Sequence, residues 1–243
     1  MTSQHGPDPL GVLREKCIDC RACSLRIGEV VDVTPVLGAY GREPVTGGDP
    51  AAVRLIIVGE APGPQENQTG RPFVGPAGEV LRSLLGQAGI DLSQTWITNA
   101  VACWPHAPGT GVPRRPKSVA PFEQAIGTCA ALHLDHQLFA FPNARVVVAL
   151  GRSAAAATVG RPSMGGATVP PALLPLLALR PGEFGPARVR PWQGRSVLVT
   201  YHPSYLAHRR YKPGDPAEAH EDAASVLRTL VAARALAWPG VAP

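Results

Sequence analysis

Lysine is nearly missing from this sequence. Of 23 basic residues only Lys16, Lys117 and Lys212 are lysines, and the other 20 are arginines. No apolar run approaches the roughly 20 residues of a membrane span, so no membrane association is expected. The opening MTSQHGPDPLG has no basic stretch ahead of an apolar one, so no secretory signal is expected either. The five cysteines are odd in number and three fall between Cys17 and Cys23. That pattern excludes a secreted disulfide framework and points to a reducing cytoplasm. Charged residues make up only 17 % and hydrophobic ones 45 %, which excludes a disordered chain.

What is present suits one folded domain over residues 1–243, large enough to need no covalent staple for its size. The net charge of +5, carried by arginine, fits phosphate contact, because guanidinium binds phosphate oxygens bidentately. With 27 prolines and 26 glycines, the arginine bias also reflects a GC-rich coding sequence.

Four short, β-branched runs read as buried strands: Val53–Val58, Thr95–Val101, Arg145–Leu150 and Ser196–Thr200. Nearly continuous rather than alternating, they suit a parallel sheet covered on both faces. Helical patterns lie between them, over Ala77–Ala88 behind Pro76, Ser118–Leu138, Ser153–Val159 and Pro216–Ala237. Strand alternating with helix predicts a doubly wound α/β sandwich. Its ligand belongs beyond the C-terminal ends of the strands, here Gly59–Ala61, Asn99–Cys103, Gly151 and Tyr201–Pro203. Two stretches, Trp104–Lys117 and Gly160–Gly194, read as loops. The second reads as a Pro- and Gly-rich insertion with room for a short strand or helix.

Three groups of residues carry chemistry. Cys17 and Cys20 form a C-x2-C pair extended by Cys23, with Cys103 and Cys129 far off in sequence. Four thiolates hold zinc or an iron–sulfur cluster, and the wide second spacing favours the cluster. The Gly-rich stretch GEAPGPQENQTGRPFVGPAG brings Glu60, Glu66 and Phe73 to the end of a strand, yet matches neither a phosphate-binding loop nor a dinucleotide fingerprint. In YHPSYLAHRR, His202 is a donor to a developing anion and Ser204 holds a turn. Leu206 reads as an apolar side chain on an exposed loop, and Arg209 and Arg210 as phosphate contacts. An apolar residue followed by arginines is what a duplex wedge needs.

Four segments in order, CIDCRACSLR, GEAPGPQENQTGRPFVGPAG, ITNAVACWP and YHPSYL, resemble the uracil-DNA glycosylase superfamily, most closely its iron–sulfur branch, family 4. The first also places Arg26 in register. The resemblance implies a three-layer α/β/α sandwich with a central, mostly parallel four-stranded sheet. It implies a monofunctional enzyme of base excision repair that flips uracil out of DNA and hydrolyses its glycosidic bond. Cys17, Cys20, Cys103 and Cys129 would ligate a [4Fe–4S] cluster, with Cys23 spare. Glu60 would sit by the reacting sugar, with Ala61 beside it in the base pocket. Phe73 would stack on the base, Asn99 read its edge and His202 bond its carbonyl. Glu66 would lie near the base or the attacking water and fill the space that thymine's methyl needs. Ser204, Leu206, Arg209 and Arg210 would contact DNA. The partner implied is uracil-containing DNA, engaged by a monomer.

The sequence departs from that pattern at Asn67, Ala102, Trp104 and the long interval from Cys103 to Cys129. Its PRRPK loop lacks the histidine of the covalent family X branch, and Ala61 stands where that branch has Gln, so ordinary turnover is expected. Glu60 separates it from family 5, which carries Leu there. Competing readings are a non-catalytic cluster protein that recognises damage, a four-cysteine zinc protein, and a glycosylase of broader deaminated-base range.

Overall fold

The structure, a computed structural model, describes residues 9–23, 35–41, 49–105, 119–158, 189–192 and 195–240. The loop expected over Trp104–Lys117 lies outside the described residues from His106 on, as do Arg26 and most of Gly160–Gly194.

Among the described residues six strands form one sheet: β1 (Ala39–Tyr40), β2 (Leu55–Gly59), β3 (Thr95–Asn99), β4 (Val146–Leu150), β5 (Val189–Trp192) and β6 (Arg195–Thr200). Their spatial order is β1-β3-β2-β4-β6-β5. The four segments read as buried strands form the parallel centre, β3-β2-β4-β6. Every residue of β2, β3 and β4 is buried, as expected of strands covered on both faces. The expected four-stranded sheet gains two antiparallel edges, β1 on β3 and β5 on β6. Two and four residues long, these strands are too short to show a period, and β5 lies in the segment read as a loop.

Successive strand residues point to opposite faces, which splits the core in two. Ile56, Val58, Val147, Ala149, Val197 and Val199 pack on one side. They meet α1 (Pro9–Ile18), α4 (Val119–Cys129) and the alanine face of α6 (Gly151–Thr158). Leu55, Ile57, Val146, Val148 and Leu198 pack on the other, against α3 (Pro76–Gln87), α7 (Pro203–His208) and α8 (Glu221–Ala237). The result is three layers. In α3, Val80, Leu81, Leu84 and Leu85 are buried, the apolar stripe expected of this helix.

Several boundaries differ from expectation. The helix read over Ser118–Leu138 is α4, then a π-helical turn (Ala130–Leu134), then α5 (Asp135–Phe139). Such turns usually accompany functional sites. The buried Gln137 of α5 fixes this region to the sheet: its Oε1 accepts from Thr98 Oγ1 at 2.9 Å, Gly38 N at 3.0 Å and Trp96 Nε1 at 3.2 Å. The C-terminal helix starts at Glu221 rather than Pro216, after a 3-10 turn at Ala217–Ala219. Three helices were not anticipated. Two are α1 and α7. The third is α2 (Pro64–Thr69) inside the Gly-rich loop, begun by a proline in its first turn and closed by Gly70 in the left-handed region.

No helix among the described residues is long and apolar enough to cross a membrane.

Candidate active site and cysteine cluster

The chain leaves β2 toward β3 on one side and leaves β4 toward β6 on the other. The C-terminal ends of β2 and β4 therefore flank the switch point of the sheet, where such folds bind ligands. Glu60 follows β2 and Ser153 opens α6 after β4, and Ser153 Oγ donates to Glu60 Oε2 at 2.7 Å across this gap. A cleft of about 540 Å³ opens beside it, lined by Ala61, Glu66, Phe73, Asn99, His202, Ser204 and His208 among others. Thus Ala61, Glu66, Phe73, Asn99, His202 and Ser204, dispersed over 144 positions, share one wall system, with Glu60 adjoining it.

Two glycines make that convergence possible. A Cβ on Gly59 would collide with the Phe73 ring and the Asn99 amide oxygen, so only glycine lets these two side chains meet over the end of β2. A Cβ on Gly78 would run into the Phe73 carbonyl. Phe73 itself has φ 56°, a left-handed conformation that costs a bulky residue strain. Its carbonyl accepts from Arg82 Nη1 of α3 at 2.7 Å, which holds the strained turn in place. Its ring lies 5.9 Å from the His202 ring, tilted by 32°.

Glu66 is buried, and both its oxygens are engaged. Oε2 accepts from Gly63 N at 2.9 Å and Oε1 from Gly75 N at 2.8 Å. The carboxylate therefore closes the Gly-rich loop on itself, a task the sequence reading did not assign to it.

His202 is the N-cap of α7. Its Nδ1 accepts from Ser204 N at 3.2 Å and lies 2.8 Å from Ser204 Oγ. A neutral imidazole whose Nδ1 accepts carries its proton on Nε2. Ser204 thus orients the histidine. The segment expected as an exposed loop is a helix, and this corrects the reading of Leu206. That side chain is 1 % exposed and packs in the core with Leu198 and Leu227. Tyr205 packs at the margin of the same core, but Leu206 lies within it, and that burial makes it unavailable as a wedge. Arg209 and Arg210 are exposed, as expected. Arg209 lies 3.5 Å from Asp222 Oδ2 and over the Tyr205 ring at 5.7 Å. Arg210 has φ 67°, a left-handed residue at the end of α7.

The second constellation lies on the other side of the sheet. Cys17 at the end of α1, Cys20, Cys23, Cys103 and Cys129 at the end of α4 line one cavity together with His133 of the π turn. None of the five is joined in a disulfide to another described cysteine. Burial pushes the Cys129 thiol well above its usual range. The Ala102 N–H, 3.2 Å from its sulfur, opposes that shift, while Cys17, Cys103 and Cys23 add to it by repulsion. Thiols so placed ionise together only around a cation, and this donor set fits a sulfur-bound metal group. Among the described residues no three of His, Cys, Asp or Glu are arranged to hold a metal ion. A cuboidal cluster is itself several atoms across and takes its thiolates farther apart than one ion does. Cys23, expected as spare, stands with the other four.

Sequence reasoning missed Ser153, Arg82, His208 and His133. Ser153 carried a usable signal, since it sits just past a strand end at the sheet edge where ligands bind. Arg82 and His133 carried none, because their roles depend on a strained turn and on a π turn.

Comparison with known proteins agrees with this geometry. Residues 46–226 match the family described as the uracil DNA glycosylase superfamily. The chain is 30 % identical over 200 residues to the type-4 uracil-DNA glycosylase of Thermotoga maritima, covering 82 % of this chain and 83 % of that one. It is 28 % identical over 179 residues to the type-4 enzyme of Pyrobaculum aerophilum, covering 71 % and 78 %. The type-5 uracil-DNA glycosylase of Thermus thermophilus is 37 % identical over a shorter stretch, 47 % of this chain and 53 % of that one. A family match over most of the chain, and a site assembled at the switch point from the very segments that carry the motifs, establish that the chain belongs to the uracil DNA glycosylase superfamily.

Proposed function

We propose that the protein is a monofunctional uracil-DNA glycosylase that takes uracil from DNA into the cleft at the β2–β4 switch point and leaves an abasic site. The observation that carries this reading is the convergence of Glu60, Phe73, Asn99 and His202 at one sheet edge. Binding alone does not call for a carboxylate and an oriented imidazole donor together.

In this reading the extruded base stacks on Phe73, worth roughly 1–3 kcal/mol. The Asn99 amide donates to O4 and accepts from N3–H. Cytosine reverses both polarities and leaves the amide unpaired, at a cost of about 1–3 kcal/mol. As the bond from sugar to base lengthens, positive charge grows on the sugar and negative charge on uracil. The Glu60 carboxylate, fixed by Ser153, faces the first and orients the attacking water. The Nε2–H of His202 meets the second at the carbonyl oxygen, and one such donor contributes ~3 kcal/mol, about a hundredfold in rate. Glu66 acts through the loop it closes: the Gly63–Gly75 wall held by its carboxylate keeps the cleft narrow against the methyl of thymine. Arg209 and Arg210 contact phosphates, and the protein works as a monomer in a reducing cytoplasm.

Cys17, Cys20, Cys103 and Cys129 hold a [4Fe–4S] cluster in this reading. The cluster supplies a cross-link between α1, the segment after β3 and the end of α4. No step of base removal passes through it.

The deciding experiment measures free uracil released from uracil-containing single- and double-stranded DNA by the wild type, Glu60→Gln and His202→Ala. Release by the wild type with losses of about tenfold or more in each variant is expected. No release from either substrate by folded, iron-loaded protein would overturn the reading.

A further inference from the structure

His133 is an unusual residue for a core. It is 5 % exposed, and neither ring nitrogen meets a hydrogen-bond partner among the described residues. Leaving a polar group buried and unsatisfied costs about 1–3 kcal/mol, so such a side chain is retained for a partner that the polypeptide does not supply. The ring lines the cavity that the five cysteines line. The π turn that carries it begins at the residue after Cys129, and its widened winding sets the ring beside that cysteine's cavity. An apolar side chain would fill this position without the penalty. A cavity of thiols offers an imidazole only weak acceptors, whereas a sulfur-bound iron group presents sulfurs rich in negative charge.

We propose that His133 donates a ring N–H to a sulfur of the iron–sulfur group held by the cysteines, as a positioning and tuning residue rather than a ligand. The proposal rests on the cluster reading above. Hydrogen bonds to cluster sulfurs stabilise the more negative oxidation state and so raise the reduction potential. His133 and Leu132 also line a larger groove that Cys20 and His136 line.

The test uses full-length protein purified anaerobically, with iron and sulfide counted first. Wild-type protein carrying ¹⁵N-labelled histidine is reduced by irradiation at low temperature, which populates the reduced cluster whatever its potential. Pulsed electron paramagnetic resonance then reads nitrogen coupling. A weak ¹⁵N coupling, of the size carried through a hydrogen bond, is expected. It should vanish in His133→Phe at unchanged iron content, and the reduction potential of that variant should fall. His133→Gln, which keeps an N–H donor, should restore the potential in part.

Loaded wild-type protein with no histidine coupling would overturn the donor and leave the cluster reading standing. A strong coupling, or iron lost from both variants, would make His133 a ligand and overturn the proposal in that direction. Folded wild-type protein without iron would overturn the cluster reading and this one with it. The labelled wild type decides the matter even if His133→Phe fails to fold.

Discussion

Ser153 Oγ donates to Glu60 Oε2 at 2.7 Å, joining the end of β2 to the start of α6 across the switch point of the sheet. A hydrogen bond to a charged group contributes about 1.5–3 kcal/mol. Ser153→Ala is therefore expected to slow uracil release at saturating DNA by roughly tenfold or more, with little change in KM. Ser153→Thr, which keeps the hydroxyl, should recover most of the rate. Single-turnover kinetics on all three proteins check this, and equal rates in wild type and Ser153→Ala would remove Ser153 from the site.

Phe73 and Asn99 meet in the space that a side chain on Gly59 would occupy. Gly59→Ala forces one of them to move, and overpacking of this kind costs about 1–3 kcal/mol. The expected result is a folded but destabilised protein with discrimination between uracil and cytosine degraded along with its rate. Melting curves and release assays on both bases read the two effects separately.

Leu206 and Arg210 should behave in opposite ways. Leu206→Ala opens a core cavity and should cost about 2–5 kcal/mol of stability. The ratio of double- to single-strand activity should hold once the folded fraction is accounted for. A duplex-specific loss would revive the wedge. Arg210→Gly relieves a left-handed residue and should add about 1 kcal/mol of stability. The same change should weaken DNA binding and flatten its salt dependence by somewhat under one unit of slope.

In the proposed reading, removing the iron should leave the protein folded at neutral pH but sensitive to alkali. Burial holds the Cys129 thiol neutral, so iron-free protein keeps its packing near neutral pH and loses stability as pH rises beyond the ordinary thiol range toward the raised value. Loaded protein, whose cysteines are already ionised, should lack that alkaline loss. Thermal melts of both forms from pH 7 upward compare them directly.

Much of this could be read from residues alone because parallel strands buried on both faces leave continuous β-branched runs, as at Leu55–Val58 and Val146–Leu150. The strand ends then ordered the chemistry: Glu60, Asn99 and His202 stand at the C-terminal ends of three different strands and meet at one edge. Other features depend on contacts distant in sequence. Leu206 looks like a surface residue beside two arginines, and only the helix over Pro203–His208 turns it inward. Glu66 looked free for chemistry because its amide donors, Gly63 and Gly75, give no composition signal. The π turn is invisible to a helical pattern that continues through it from α4 into α5.

The stretch from Asn99 to Cys103 links the two constellations, and it is tied at each step. Ala100 N donates to Gly59 O at 2.9 Å, Val101 N to Glu60 O at 3.0 Å, and Ala102 O accepts from Val36 N at 2.7 Å. One end carries the amide proposed to read the base, and the other lines the cysteine cavity. Such a run has little conformational freedom of its own, so positional noise at Cys103 is passed along it to the Asn99 amide. Telling uracil from cytosine depends on holding that amide within the narrow angular tolerance of a hydrogen bond. In the proposed reading, a cluster held by the cysteines, remote from the bond that breaks, would steady the choice of base by damping the motion of the Asn99 amide.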